Sequence, residues 1–231
     1  MSVPLLNSSE RPLLVLQDVH AAYVKKEVLR GISLTVKGGE IVAIFGGNGS
    51  GKSTALKTVF GLLRPTRGAV LFDGRDISAE PTQRRQQAGI GYLMQGGRVF
   101  PNLTVAENFS IAITHSRRRA NRSPQLGSIF PELAHRRSDR AGLLSGGQRQ
   151  MLAVELVLAQ TPRLALLDEP TGALSASLSH SVLAKVREFA RQEHCGVLLV
   201  EQNVNEAKEV AQRHLFLSDG RISEPLGVNA T

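Results

Sequence analysis

The chain has no tryptophan, two tyrosines and a single cysteine in 231 residues. One cysteine, Cys195, excludes an internal disulfide and fits a reducing compartment. It lies just before an apolar stretch and reads as a small packing residue. Aromatics are 4% of the chain and none is interleaved with the arginines of 117–140, so a stacking platform for single-stranded nucleic acid is unsupported. Long apolar runs are missing as well: stretches such as 197–200 are far too short to cross a bilayer. The first ten residues carry no basic segment followed by a long apolar one, so a signal peptide is not expected. No internal repeat is present.

Hydrophobic residues, at 42%, suffice for a substantial core, and the length suits one large domain or a domain with a subdomain. The net charge of +8 admits nucleic acid, an anionic membrane surface or an acidic partner. Arg117, Arg118, Arg119, Arg122, Arg136, Arg137 and Arg140 fall in one stretch, which reads equally as a solvated face or a contact surface.

Short strands are expected over 13–19, 32–36 and 69–72, with Asp73-Gly74 as a turn. Residues 41–45 are apolar throughout, as in a strand buried on both faces. A glycine-rich loop follows, then a helix over about 52–63 that Arg64-Pro65 ends. From about 96 to 160 the pattern is mainly helical, with residues 114–127 the most loop-like part. Thr104 to Glu107 and Ser145 to Gln148 both have the spacing of a capping box. The second opens a helix with Met151, Val154 and Leu158 at helical spacing, which Thr161-Pro162 stops. A buried strand (164–167), a helix (about 179–192), another buried strand (197–200), a short helix and the hairpin turn Asp219-Gly220 complete the chain. Alternating strands and helices imply a parallel sheet covered by helices.

Three blocks carry chemistry. Gly46, Gly47, Asn48, Gly49, Ser50, Gly51, Lys52, Ser53 and Thr54 have P-loop spacing. Glycines let backbone N–H groups line a polyphosphate, and the following helix points its positive end at the same place. Lys52 then reaches the β- and γ-phosphates of ATP, and the Ser53 hydroxyl reaches Mg2+. The second block is the strand 164–167, which ends in Asp168 and Glu169. Consecutive strand residues point to opposite sides, so Asp168 is assigned to the Mg2+ sphere and Glu169 to general-base activation of water. Between them lies Leu144-Ser145-Gly146-Gly147-Gln148, a capped helix start freed of bulk by two glycines, and so a second anion site in the same chain.

With these blocks in this order, the chain resembles the ATP-binding subunits of ABC transporters, over nearly its whole length. The resemblance implies a single ABC ATPase domain over 1–231: a P-loop NTPase, RecA-like α/β core with an N-terminal antiparallel β subdomain and a helical subdomain inserted at about 96–160. It implies that Ser145, Gly146, Gly147 and Gln148 grip the γ-phosphate of ATP held by a second ATPase subunit. Tyr23 matches the aromatic that stacks on adenine, and Gln95 the glutamine that contacts Mg2+ and senses the membrane partner. A coupling helix of a transmembrane permease subunit is expected to dock beside residues 96–108. Gln202 stands where most of the family has a catalytic histidine; it can hydrogen-bond a γ-phosphate or water but cannot take up a proton near neutral pH. Ser175, in Ala173-Leu174-Ser175, replaces the usual aspartate, leaving open an unequal pair of ATP sites.

The stretches 97–108 and 200–203 look like those of branched-chain amino acid importers and the related urea and amide importers, a group with short cassettes. The implied protein sits peripherally on the cytoplasmic face of the inner or plasma membrane, with permease subunits, a second cassette and, indirectly, an external substrate-binding protein. A urea or short-chain amide importer is the nearest alternative. A soluble ABC ATPase acting on ribosomes or DNA is favoured only by the net charge of +8, and nucleic acid is not an expected partner. A regulatory module without turnover is motivated by Gln202 and Ser175.

Overall fold

The structure, a computed structural model, describes residues 11–24, 26–114, 124–172 and 174–223. The expectations for the first ten residues, for Ala173, for most of 114–127 and for Arg117, Arg118, Arg119 and Arg122 lie outside the described residues. Strands β1 (Leu14–Tyr23) and β2 (Lys26–Val36) form an antiparallel hairpin. Next come β3 (Ile41–Phe45), α1 (Lys52–Phe60), β4 (Arg67–Phe72), β5 (Arg75–Asp76), α2 (Thr82–Ala88) and β6 (Ile90–Leu93). Helices α3 (Val105–Thr114), α4 (Glu132–His135) and α5 (Gly146–Leu158) lie between β6 and β7 (Leu164–Asp168). The chain continues through α6 (Ala176–Gln192), β8 (Gly196–Val200), α7 (Val204–Lys208), β9 (Arg213–Ser218) and β10 (Arg221–Ser223). No helix among the described residues is long and apolar enough to cross a membrane.

The strands form two sheets. One is antiparallel, in the order β2-β1-β4-β5; the other, β10-β9-β3-β8-β7-β6, is parallel except for the β10 edge. Every residue of β3, β7 and β8 is buried. The period of two divides them between faces. Ile41, Ala43, Phe45, Ala165, Leu167, Val197 and Leu199 join a core with residues of α5 and α6. Val42, Ile44, Leu164, Leu166, Leu198 and Val200 join a second core with α1 and the antiparallel sheet. The central sheet is thus covered on both faces, which is why its strands read as unbroken apolar runs.

Both capping boxes form: Thr104 Oγ1 accepts from the Glu107 N–H at 3.1 Å, and Ser145 Oγ from the Gln148 N–H at 3.2 Å. Helix α1 ends earlier than expected. Gly61, at φ 85°, turns left-handed, and its N–H bonds back to the helix, so the stop precedes Arg64-Pro65. Helix α6 starts earlier than expected, with Ser175 at its N-cap. Helix α2, unexpected from the sequence, supplies Arg85, which is 1% exposed. Its guanidinium donates to the carbonyls of Thr58 and Val59 (2.8 Å each), Ser78 (3.0 Å) and Glu80 (3.0 Å). Two of these are carbonyls at the C-terminal end of α1, the end where a cation is favoured. Arg85 therefore anchors the helix that follows the glycine-rich loop. Arg85→Met keeps the apolar stem but leaves buried carbonyls without a donor, and should lower unfolding stability by about 3 kcal/mol. An unchanged urea midpoint would show that water replaces the guanidinium.

Candidate active site

The parallel order places the C-terminal ends of β3, β8 and β7 side by side, where open α/β sheets bind ligands. Val200 is in register with Ile44 on one side and Asp168 on the other. The loop 46–51 leaves the end of β3 with Gly46, Gly49 and Gly51 at φ 157°, 80° and 110°. At Gly49 a side chain would enter open space, whereas at Gly51 it would crowd Leu29 and Val28. Gly49 thus keeps the loop's outer surface bare. The Ser50 hydroxyl is buried and has no hydrogen-bond partner among the described residues. Lys52 is buried and bends its ammonium over the loop, donating to the carbonyls of Gly46 (2.7 Å) and Gly47 (3.0 Å). A bare loop, an unmatched hydroxyl and an inward ammonium suit a bound polyphosphate. Asn48, Gly49, Ser50, Gly51, Lys52, Ser53 and Thr54 line a cleft of about 420 Å³, which Gln95 and Glu169 also line.

Two oxygens assigned to Mg2+ meet at this cleft: Ser53 Oγ donates to Asp168 Oδ1 at 3.0 Å. Asp168 Oδ2 accepts from the Tyr92 hydroxyl at 3.2 Å. Burial pushes Asp168 above the usual carboxylate range, against the opposing bonds from Ser53 and Tyr92, with the Glu169 charge adding to the rise. Burial, followed by the Asp168 charge, pushes the Tyr92 phenol up as well, so it stays a donor. The ligand set therefore suits a hard cation held by oxygen.

Glu169 is not aimed by strand alternation as expected. β7 stops at Asp168, and Glu169 takes a left-handed backbone at φ 53°, a costly conformation for a non-glycine residue. Its two carboxylate oxygens are each held by an amide: Gln202 Nε2 donates to Oε1 at 2.8 Å and Gln95 Nε2 to Oε2 at 2.9 Å. The structure thus brings Gln95, Glu169 and Gln202 together, with Gln95 bonded to the carboxylate of Glu169.

Tyr23 stands at the end of β1, 43% exposed, and is not among the residues lining the cleft; Val28, on the partner strand of the hairpin, is. Ser145, Gly146, Gly147 and Gln148 do not line it either and start α5 elsewhere on the surface. Their two glycines differ. A side chain at Gly146 would meet nothing, whereas one at Gly147 would fall 2.8 Å from Leu178 of α6. Packing accounts for Gly147, and open surface for Gly146. Sequence reasoning passed over Tyr92, Glu201 and Gln150. The one legible signal was a polar residue in an apolar setting: Tyr92 in β6, and Gln150 four residues before Val154 on the buried side of α5.

Glu201 is buried, and its Oε1 accepts from Thr171 N (3.0 Å) and Thr171 Oγ1 (2.8 Å). Burial pushes its carboxyl up despite these bonds. A carboxyl raised in the folded state contributes stability that is complete below its unfolded pKa and is lost as pH rises through the folded value. Glu201→Gln keeps an acceptor for Thr171 and removes the charge. It should flatten the decline in stability that begins as pH rises above the usual carboxylate range, read from denaturant midpoints. Parallel curves for parent and variant would refute the burial argument.

Residues 29–172 match the family model described as ABC transporter. The chain is 37% identical to a probable branched-chain amino acid transport ATP-binding protein, LivF, of Archaeoglobus fulgidus, covering 89% of this chain and 88% of that protein. It is 36% identical to the high-affinity branched-chain amino acid transport ATP-binding protein BraG of Pseudomonas aeruginosa, covering 91% of each. It is 35% identical to the lipopolysaccharide export system ATP-binding protein LptB of Haemophilus influenzae, over 91% of this chain and 88% of that one. Among solved structures, a dimeric ATP-binding cassette in a post-hydrolysis state bound to ADP and Pi superposes with a TM-score of 0.77 at 27% identity, covering 93% of this chain and 99% of that one. The glycine-rich loop after β3, the paired carboxylates at the end of β7 and these likenesses together show that the chain belongs to the ABC transporter family, as an ATP-binding ATPase subunit with a P-loop NTPase fold.

Proposed function

We propose that the chain hydrolyses ATP to drive an importer of branched-chain or other small amino acids. One observation carries the catalytic reading: both oxygens of Glu169 are held by neutral amides at the mouth of the cleft floored by the glycine-rich loop. ATP would lie with its phosphates on the N–H groups of residues 46–54 and its adenine toward Tyr23. Ser53, Asp168 and Gln95 would hold Mg2+, which supplies charge neutralisation at the β- and γ-phosphate oxygens. Glu169 takes a proton from water as the water oxygen bonds to the γ-phosphorus. The bond to the β,γ-bridging oxygen breaks, its electron pair leaves with ADP, and Lys52 offsets the charge that develops. Gln202 orients the water and the carboxylate without taking up a proton.

The bare helix start at Ser145, Gly146, Gly147 and Gln148 lies outside the chain's own cleft, which supports its use on the nucleotide of a second cassette. The dimeric relative holding ADP and Pi is consistent with such pairing. A permease subunit would dock at apolar residues close to Gln95 in sequence: Met94 and Phe100 are exposed, Phe100 at 57%. The transported molecule is inferred from LivF and BraG together with the 97–108 stretch. The likeness to LptB favours a second reading, an ATPase serving lipid export, and co-purified membrane subunits distinguish the two.

Glu169→Gln should keep Mg·ATP affinity and lower turnover about 10²–10⁴-fold, measured as phosphate release. Parental turnover in that variant would remove Glu169 from its role. Turnover of the parent chain should be weak alone and rise several-fold when its permease subunits are present in detergent or nanodiscs. Equal rates in the two states would rule out coupling to transport.

A further inference from the structure

Gln150 is a buried amide on the core side of α5, among Met151, Leu152, Val154 and Leu158. Its Nε2 donates to the carbonyl of Pro170 at 2.8 Å and lies 3.3 Å from that of Glu169. These carbonyls flank the peptide that carries the left-handed turn of Glu169. A residue held at positive φ keeps that conformation only where its surroundings over-determine it. Here the Glu169 N–H bonds Val200 O at 2.9 Å, its carbonyl accepts from Gly172 N at 3.1 Å, and Gln150 supplies the remaining donor. The other side of the amide faces Gly97. A side chain there would sit 2.3 Å from Gln150 Oε1, so the loop after Gln95 closes directly onto the same group. One side chain therefore joins three segments: the helix begun by Ser145, the peptide of Glu169, and the loop that follows Gln95.

We propose that Gln150 is a positioning residue for Glu169, transmitting the placement of the helix start at Ser145 to the carboxylate of its own chain. This rests on the reading that Ser145 to Gln148 engage the nucleotide of a second cassette. A shift of α5 when that contact forms would move the Glu169–Pro170 peptide through two hydrogen bonds, so each ATP site would report to the other through a single side chain. An apolar residue of the same length would fill the space but leave the Pro170 carbonyl without its donor.

The test is Gln150→Met in the full chain, in the parent and in the Glu169→Gln background, with single-turnover hydrolysis and nucleotide affinity measured separately. In the parent background the hydrolysis rate should fall about tenfold or more while affinity stays within about twofold. In the Glu169→Gln background the same substitution should cost no more than about twofold, because the group it acts through is gone. A parental rate in Gln150→Met, equal fractional losses in both backgrounds, or a loss of affinity matching the loss of rate would each overturn the proposal. If Gln150→Met fails to fold by circular dichroism, Gln150→Glu, which keeps the size and replaces the donor by an acceptor, is held to the same outcomes. A parent chain that hydrolyses no ATP even with its permease subunits would overturn the proposed function itself, an outcome distinct from those above.

Discussion

Val200 is hydrogen-bonded in register with Ile44 on one side and Asp168 on the other, and the active site depends on that double register. The three strands involved are buried on both faces, so a slip by one residue would exchange the side chains of the two cores. The ends of β3, β8 and β7 are therefore locked relative to each other. The glycine-rich loop, Glu201 and Asp168 leave the same edge at set spacings. Arg85 adds a second restraint by holding the far end of the helix that the loop opens. The site inherits its precision from the packing of the sheet.

Three carboxylates, Asp168, Glu169 and Glu201, crowd this edge, and burial raises the first and last. Around Glu169 the ligands are neutral amides: Gln95 and Gln202 on the carboxylate, Gln150 on the peptide. Amides donate to a carboxylate at any pH at which the protein is folded, and none competes with it for a proton. Gln202, an amide, places no group that takes up a proton near neutral pH against this carboxylate. Glu169 is thus held by groups that exchange no proton with it.

Much of this was legible in the chain itself. Runs 41–45, 164–167 and 197–200 are strands because unbroken apolar sequence at that length suits a doubly covered sheet, and both capping boxes formed because they need only local bonds. Elements that depend on distant partners were not legible. Helix α2 is a polar run whose key residue, Arg85, is buried by contacts with α1 and the β5–α2 connection. The early end of α1 follows from a left-handed Gly61 that also leaves room for Arg85, a neighbour no local pattern shows. For Glu169 it was the reason that failed, not the aim: a strand rule was carried one residue beyond the strand. Gln150 was hidden for the same kind of reason: its partners lie 19 and 20 residues away in sequence.

Asn108 is buried at the start of α3, and its one amide bonds the loop in front of it from both ends. Its Oδ1 accepts from Phe100 N at 2.8 Å, while Nδ2 donates to the carbonyls of Phe100 (3.0 Å) and Thr104 (2.9 Å). The segment that presents Phe100 is therefore already shaped in the isolated subunit. Ordering entropy for that edge is charged to folding and does not recur at each encounter with another molecule. A loop set in advance in this way presents Phe100 at a fixed place relative to α3, which packs on α5.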